Sequence, residues 1–401
     1  MSAPVEAPPA PVEAEPHGWQ QRLAAAGGTV GFTALSIVAA LLVGAVVIVF
    51  SDPTTLGFWK HFFSDPLAAV DASWDIVYAS YQALFASAFG GTAPISRTLL
   101  EATPLIFAGL SVALAFQAGL FNIGAAGQLI AGATGASYVG FHFDLPRIVH
   151  LPLVMAAGVV AGMAYGGLAG LLKARTGAHE VITTIMLNNI AIHVLDWILS
   201  LDAFQRAGRN DPISPPIAES AHMPKLPGPL DVDLGLLLAL AAAAGVWWLL
   251  QRSTVGFRMR AVGANHDAAR AAGMNVASTY LLSMALAGGL AAMAGVINLS
   301  SRSGGSLTGG FYAQVGFDAI ALALVGRAKP GGVVFAAILF GALQAGATGM
   351  QAATDTPVDI IVVIQALIIM FVSAPAVVQA IFRVRGRRAT GQQFATGWGS
   401  A

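Results

Sequence analysis

No cysteine occurs in the 401 residues, so disulfides, thiolate metal sites and thiol catalysis are excluded. Charge is scarce: Asp, Glu, Lys and Arg make up 10% of the chain, against about 25% in a soluble domain. The 20 basic and 20 acidic side chains cancel, and without a basic surplus no nucleic-acid partner is expected. Lysine is confined to Lys60, Lys173, Lys225 and Lys329. None follows a glycine, so there is no GxxxxGK(S/T) phosphate loop and no ATP site of that kind. HExxH, GxSxG and clustered metal ligands are also missing, and the eight histidines are scattered. No catalytic residue, metal site or chain-bound cofactor is therefore expected.

What the chain has in abundance is apolar sequence, 56% of it, with a mean hydropathy of +0.72. Most of it must meet a lipid bilayer. Crossing a ~30 Å hydrocarbon core takes about 20 residues, and spans are read at 30–50, 98–118, 128–141, 151–172, 181–200, 234–250, 278–297, 313–326, 332–350 and 358–374. Those at 128–141 and 313–326 are short, as tilted, re-entrant or broken segments near a transport pathway are. The expected fold is an all-α integral membrane protein, a polytopic bundle of about ten transmembrane helices. Basic residues follow alternate spans: Lys173 and Arg175, then Arg258, Arg260 and Arg270, then Arg327 and Lys329, then Arg383, Arg385, Arg387 and Arg388. The positive-inside rule puts these loops and both termini in the cytoplasm. Loops 51–97 and 201–233 are acidic and fall outside, the second as a periplasmic loop. Within the first, 74–89 has the pattern of an amphipathic helix at the outer interface. Glu101 reads as a cap-region acid. Residues 1–29 form a low-complexity Pro/Ala/Glu tail without the positive n-region of a signal peptide, in which 17–26 offers a short surface helix. The membrane-spanning body is 30–382, and 383–401 is a basic tail.

The loop 251–277 holds Arg252, Arg258, Arg260 and Arg270 against one acid, Asp267. It also carries a helix signal. Asn265 suits the N-cap, Asp267 the first turn, where the dipole favours an anion, and Gly273 the C-terminal stop. A structured helix beneath a polytopic bundle points to docking of a cytoplasmic partner.

Gly158, Gly162, Gly166 and Gly170 recur every four residues, so they share one helix face on which a second helix can approach closely. Gly341, Ala345 and Gly349 make a similar face. In the fifth span Asn189, His193, Asp196 and Ser200 form one polar stripe, with Thr184 and Asn188 on an adjacent strip. Polar groups at that depth face the bundle interior or a wet cavity, so the stripe reads either as interhelical bonding or as a solute path. Segment 119–128, GLFNIGAAGQ, is uncharged yet rich in glycine. That suggests backbone leaving the helix while still buried, and makes Asn122 and Gln128 candidates for a neutral polar solute, with a plain turn as the alternative. Gln314 and Asp318, with Phe317, open the short eighth span; a first-turn acid balancing the dipole is the alternative there.

Four stretches carry a resemblance: TPLIFAGLSVALAFQAGLFNIGAAGQ at 103–128, EVITTIMLNNIA at 180–191, GFRMRAVGANHDAARAAGM at 256–274 and GFDAIALALVGRAKPGGVVFAAILFGAL at 316–343. The chain resembles the inner-membrane permease subunits of bacterial ABC importers for ribose-type sugars, branched-chain amino acids and nucleosides, above all the nucleoside and simple-sugar branch. The resemblance implies a multi-pass permease in the bacterial cytoplasmic membrane. It pairs with a second permease subunit, identical or homologous, two cytoplasmic ABC ATPase subunits that bind ATP and magnesium, and an extracytoplasmic solute-binding protein or lipoprotein. It makes Gly256, Arg258, Arg260, Asn265, Arg270 and Gly273 the ATPase-docking positions. Ala126 departs from the FNIGAEGQ pattern of the branch, and Asn189 stands where a tyrosine is expected. The alternative function is an ion- or proton-coupled secondary transporter running on the fifth-span stripe. A membrane-embedded enzyme or scaffold is a third class, without a motif to support it.

Overall fold

The computed structural model describes residues 19–302, 304–310 and 315–373, with side chains over 31–301, 304–310 and 315–373. Gln314 and both tails, 1–18 and 374–401, lie outside the described residues. Among those described, the chain is a polytopic helical membrane protein without named strands. Its elements are α1 (Trp19–Ser51), α2 (Pro53–Trp59), α3 (Pro66–Phe89), α4 (Thr92–Gln117), α5 (Ala125–His142), α6 (Arg147–Thr176), α7 (Glu180–Leu199), α8 (Leu234–Arg252), α9 (Thr254–Ala264), α10 (His266–Ala271), α11 (Val276–Ile297), α12 (Val315–Val325), α13 (Pro330–Thr354) and α14 (Asp359–Ser373). Seven of them are long and apolar enough to cross a membrane, and α12 and α14 are shorter apolar helices. Together with α5 they coincide with the ten spans read from hydropathy.

Two boundaries differ from the sequence reading. The first helix starts at Trp19, inside the stretch 1–29 and over the short helix expected at 17–26. The helix expected at 74–89 is the later part of α3, a 24-residue helix. It is not a free interfacial element, because it lies along α13. A Cβ on Gly346 would sit 2.7 Å from the Leu84 carbonyl oxygen, and Gly349 meets Ser87. The buried side of α3 is Ala69, Ser80, Leu84 and Ala88, while Trp74, Tyr78 and Phe85 stay exposed. Glu101 is also misplaced by sequence: α4 begins at Thr92, so the residue lies well inside that helix and not at its cap.

The centre of the bundle is α4 and α11, whose middles are almost wholly buried. The four-spaced glycines of α6 lie against α11. A Cβ on Gly162 would stand 2.5 Å from the Gly288 carbonyl oxygen and also overlap Ala292; one on Gly166 would come within 2.9 Å of the Gly288 Cα; one on Gly170 would reach 2.9 Å from the Leu281 Cα. The helices touch backbone to backbone, which only small residues permit in lipid, where packing and not hydrophobic transfer drives association.

The end of the bundle bearing α9 and α10 is the lower end here. At the upper end, 201–233 folds over the helices as a structured cap. Ile213 bridges Thr308, Ile217 N–H donates to the Gly305 carbonyl at 2.9 Å and Ala218 N–H to that of Gly140 at 2.8 Å. In this cap Arg209 hydrogen-bonds Asp211, and that contact holds the carboxyl below its ordinary range.

Candidate functional site

At the lower end, the chain leaves α8 through Ser253, whose Oγ accepts the Gly256 N–H at 2.9 Å and caps α9. Gly256 is required at this corner because a Cβ would lie 2.6 Å from the Leu250 Cα. Helix α9 buries Met259 and Val262 and exposes Phe257 and Arg258. Asn265 ends it and caps α10, its Oδ1 accepting the Asp267 and Ala268 N–H groups at 3.0 and 2.9 Å. Gly273, at φ 80°, takes the left-handed turn that stops α10. The stretch 251–277 is therefore two helices, of which the capping pattern at 265–273 reveals only the second. A small core of Val262, Ala269 and Val276, with Met274 and Tyr280, ties the pair to the start of α11. Arg258 and Arg270 remain exposed on its surface, and Arg260 is partly buried with its Nε unpartnered. Asp267 contacts Arg270 at 3.7 Å across side chains 74% and 69% exposed, a pair worth little to stability in water.

Directly above lies the bend 118–124. Gly119, at φ 71°, rests on Gly263 of α9: a Cβ added at Gly263 would stand 2.7 Å from the Gly119 nitrogen and would also meet the Gln117 carbonyl. Beside them Gln117 Nε2 donates to the Ala328 carbonyl at 2.9 Å, which braces the two consecutive left-handed residues Arg327 and Ala328. The bend then climbs back into the bundle, and α5 starts inside it.

Here the buried amides have settled occupations. Asn122 is 0% exposed. Its Nδ2 donates to Gln128 Oε1 at 2.9 Å and to Ser111 Oγ at 3.3 Å, and its Oδ1 accepts from Gly124 N–H at 3.1 Å and Gln128 Nε2 at 3.1 Å. Two donor hydrogens and two lone pairs are thereby used up. Asn188 Oδ1 accepts the Gly127 N–H at 2.8 Å, and its Nδ2 donates to the Ile123 carbonyl at 2.8 Å. These side chains replace the helical bonds that the bend gives up, as buried irregular backbone requires. In this structure the amides of Asn122, Gln128 and Asn188 are all engaged in holding the bend. Thr184 is likewise occupied: its Oγ1 donates to the Glu180 carbonyl at 2.7 Å, and it packs beside Gly124.

The fifth-span stripe consequently divides. Thr184 and Asn188 face α5, whereas Asn189, His193, Asp196 and Ser200 are exposed on the other side of α7. Asn189 and His193 line a shallow depression with Met186, Ile190, Val194 and Trp197. Asn189 Nδ2 bonds the Ile185 carbonyl of its own helix, and Asp196 lies beside Gly309. On α12, Phe317 is 69% exposed, while Asp318 turns inward and accepts from Gln344 Nε2 of α13 at 3.1 Å. Gly316 packs directly on Ala126, so α7 and α12 both rest on the first turns of α5.

Sequence reasoning missed Ser111, Gly263 and Gln344, and it missed α9. The α9 signal was present in Val255, Met259 and Val262, spaced i, i+4, i+7. Gly263 carries no such signal; only its contact with Gly119 distinguishes it. No group of metal-ligating side chains is found among the described residues.

The sequence model of the family described as "Branched-chain amino acid transport system / permease component" matches residues 95–373, from the first turn of α4 to the end of α14. The guanosine ABC transporter permease protein NupP of Bacillus subtilis is 40% identical over 306 residues, covering 74% of this chain and 86% of NupP. The nucleoside ABC transporter permease protein NupB of Lactococcus lactis is 35% identical over 310 residues, 75% of this chain and 85% of its own. The glucose ABC transporter permease protein TsgB13 of Haloferax volcanii is 34% identical over 351 residues, 85% of this chain and 86% of its own. No solved structure matches.

Proposed function

The chain belongs to the branched-chain amino acid transport system / permease component family, and from that membership we propose that it is the membrane-spanning subunit of an ABC importer that admits nucleosides. The observation that carries this reading is the 40% identity to a guanosine permease along most of both chains. The α9–α10 pair supports it, with a capped, partly basic surface standing on the bend at 118–124. ATP and magnesium belong to the cytoplasmic ATPase subunits that dock on this surface, and the chain has no ATPase site of its own. The surroundings are a bacterial cytoplasmic membrane, with α9, α10 and both termini on the cytoplasmic side.

A second permease subunit covers the outward face of α7. Asn189 and His193 lie well along a membrane-crossing helix, and polar groups facing lipid there are costly. A protein neighbour with a wet seam removes that cost. The solute path then follows the α7 face and the exposed Phe317 edge of α12, and an extracytoplasmic binding protein delivers to the cap over 201–233. Outward-open and inward-open states interconvert because ATP-bound partners hold α9 and α10 differently in the two, the differential affinity that any such shift requires.

The test is reconstitution of the full complex in proteoliposomes, with radiolabelled guanosine outside and ATP inside. ATP-dependent uptake that needs the binding protein is expected. Uptake by the isolated chain on an ion or proton gradient alone would replace this reading with the secondary-transporter one. A second substrate, glucose, is favoured by TsgB13, which is 34% identical over 85% of this chain; displacement of guanosine by glucose at comparable concentration would favour that sugar.

A further inference from the structure

Lys173, Glu180 and Tyr280 have no part in the function above. The three meet at the lower end of the bundle. Lys173 stands in the last turn of α6 and Glu180 opens α7. Lys173 Nζ lies 2.6 Å from Glu180 Oε2, with side chains 22% and 13% exposed. The same ammonium sits 5.5 Å from the centre of the Tyr280 ring on α11, within cation–π reach. Tyr280 packs on Val262, Ala269 and Val276, the core of the α9–α10 pair. Eight residues along α7, about 12 Å at the helical rise, Asn188 holds the bend and the start of α5. A continuous line of contacts thus runs from the docking helices through a ring and an ion pair to the helix whose outer face carries Asn189 and His193.

We propose that Tyr280, Lys173 and Glu180 form a strut that transmits displacement of the α9–α10 pair into α7. They are positioning residues: none touches the solute or the nucleotide. Each charge is also favoured where it stands, a cation at the end of α6 and an anion at the start of α7. That local stabilisation would be indifferent to Tyr280. The strut needs all three, and removing either charge leaves its partner uncompensated in a half-buried site. The proposal rests on the importer reading, and its test separates the two.

A single nitroxide on Ile182→Cys reports the start of α7; this side chain is 62% exposed, and no native cysteine competes for the label. In the reconstituted full complex, ATP addition is expected to change the nitroxide's mobility. Glu180→Gln and Tyr280→Leu should each abolish the change, whereas Tyr280→Phe, which keeps the ring, should preserve it. The exchanged pair Lys173→Glu with Glu180→Lys should not restore it, because a carboxylate then faces the ring. Guanosine taken up per ATP hydrolysed should fall about fivefold or more in the two disrupted variants, the lower end of usual coupling factors. A spectrum that ATP leaves unchanged in the parent complex, or that still responds in both disrupted variants, overturns the strut. If Glu180→Gln fails to assemble, the Tyr280 pair decides alone. Parent complexes that import no guanosine count against the importer reading, and the nitroxide answer on the strut stands regardless.

Discussion

Gly263→Ala is the sharpest perturbation that the fold offers. The added methyl would lie 2.7 Å from the Gly119 nitrogen and 2.9 Å from the Ala118 carbonyl carbon, where ordinary contact begins at 3.4 Å. Every obstructing atom is backbone, so no side chain can rotate away. The Gln117 carbonyl oxygen is nearer still, so the α9 helix or the 118–124 bend must shift by more than about 0.7 Å, and overpacking of this kind costs about 1–3 kcal/mol. Coupling free energies between distant sites are of the same size, about 1–3 kcal/mol, so one methyl group is enough to offset the link between the α9–α10 pair and the bend. The control is Gly245→Ala on α8, where a Cβ meets nothing within 4 Å and alanine favours the helix. Both variants should insert, because the clash sits at a joint and outside the α6–α11 seam. In proteoliposomes, guanosine uptake per ATP should drop severalfold for Gly263→Ala and stay at the parent value for Gly245→Ala. Equal, parent-like coupling in both would refute the reasoning.

Gly162→Leu should separate α6 from α11, since its side chain would run into Ala292 and the Gly288 backbone; the cost, about 1–3 kcal/mol or more, should appear as a lower unfolding temperature in detergent, and an unchanged temperature contradicts the packing account. Asn122→Leu strands Gln128, Ser111 and the Gly124 N–H, at about 1–3 kcal/mol for each group left unsatisfied. It should reduce the amount of folded protein without altering the ranking of competing nucleosides. Asn189→Leu, on the exposed face, should do the reverse, changing KM or solute ranking at normal protein level. A competition assay in which the two variants exchange these phenotypes would return the buried amides to the solute path.

The helical spans were legible because apolar length survives any packing arrangement. The start of α5 inside the bundle was legible too, as a short span next to glycine-rich sequence. The α10 cap was written in Asn265, Asp267 and Gly273. What sequence could not resolve was facing. Asn188 and Asn189 are neighbours about 100° apart on a helix, and periodicity does not tell which of them meets protein; only Gly127 and Ile123, distant in sequence, settle it. Asn122 resembled a binding group because an amide's partners are invisible until Gln128 and Ser111 are brought beside it. The packing of α3 is hidden in the sequence because Asp71, Asp75 and Trp74 mark an interface, whereas its buried side holds one large apolar residue, Leu84, among the small Ala69, Ser80 and Ala88, which leaves a weak apolar signal.

The central claim is that α9 and α10 form the surface on which the energy-supplying subunits act. Asp267→Cys tests it most directly, since this side chain is 74% exposed and would be the only thiol in the chain. In intact cells a membrane-impermeant maleimide should fail to label it until the membrane is opened, and purified ATPase subunits should then protect it. Labelling from outside intact cells, or full reactivity in the presence of the ATPase subunits, would contradict the account.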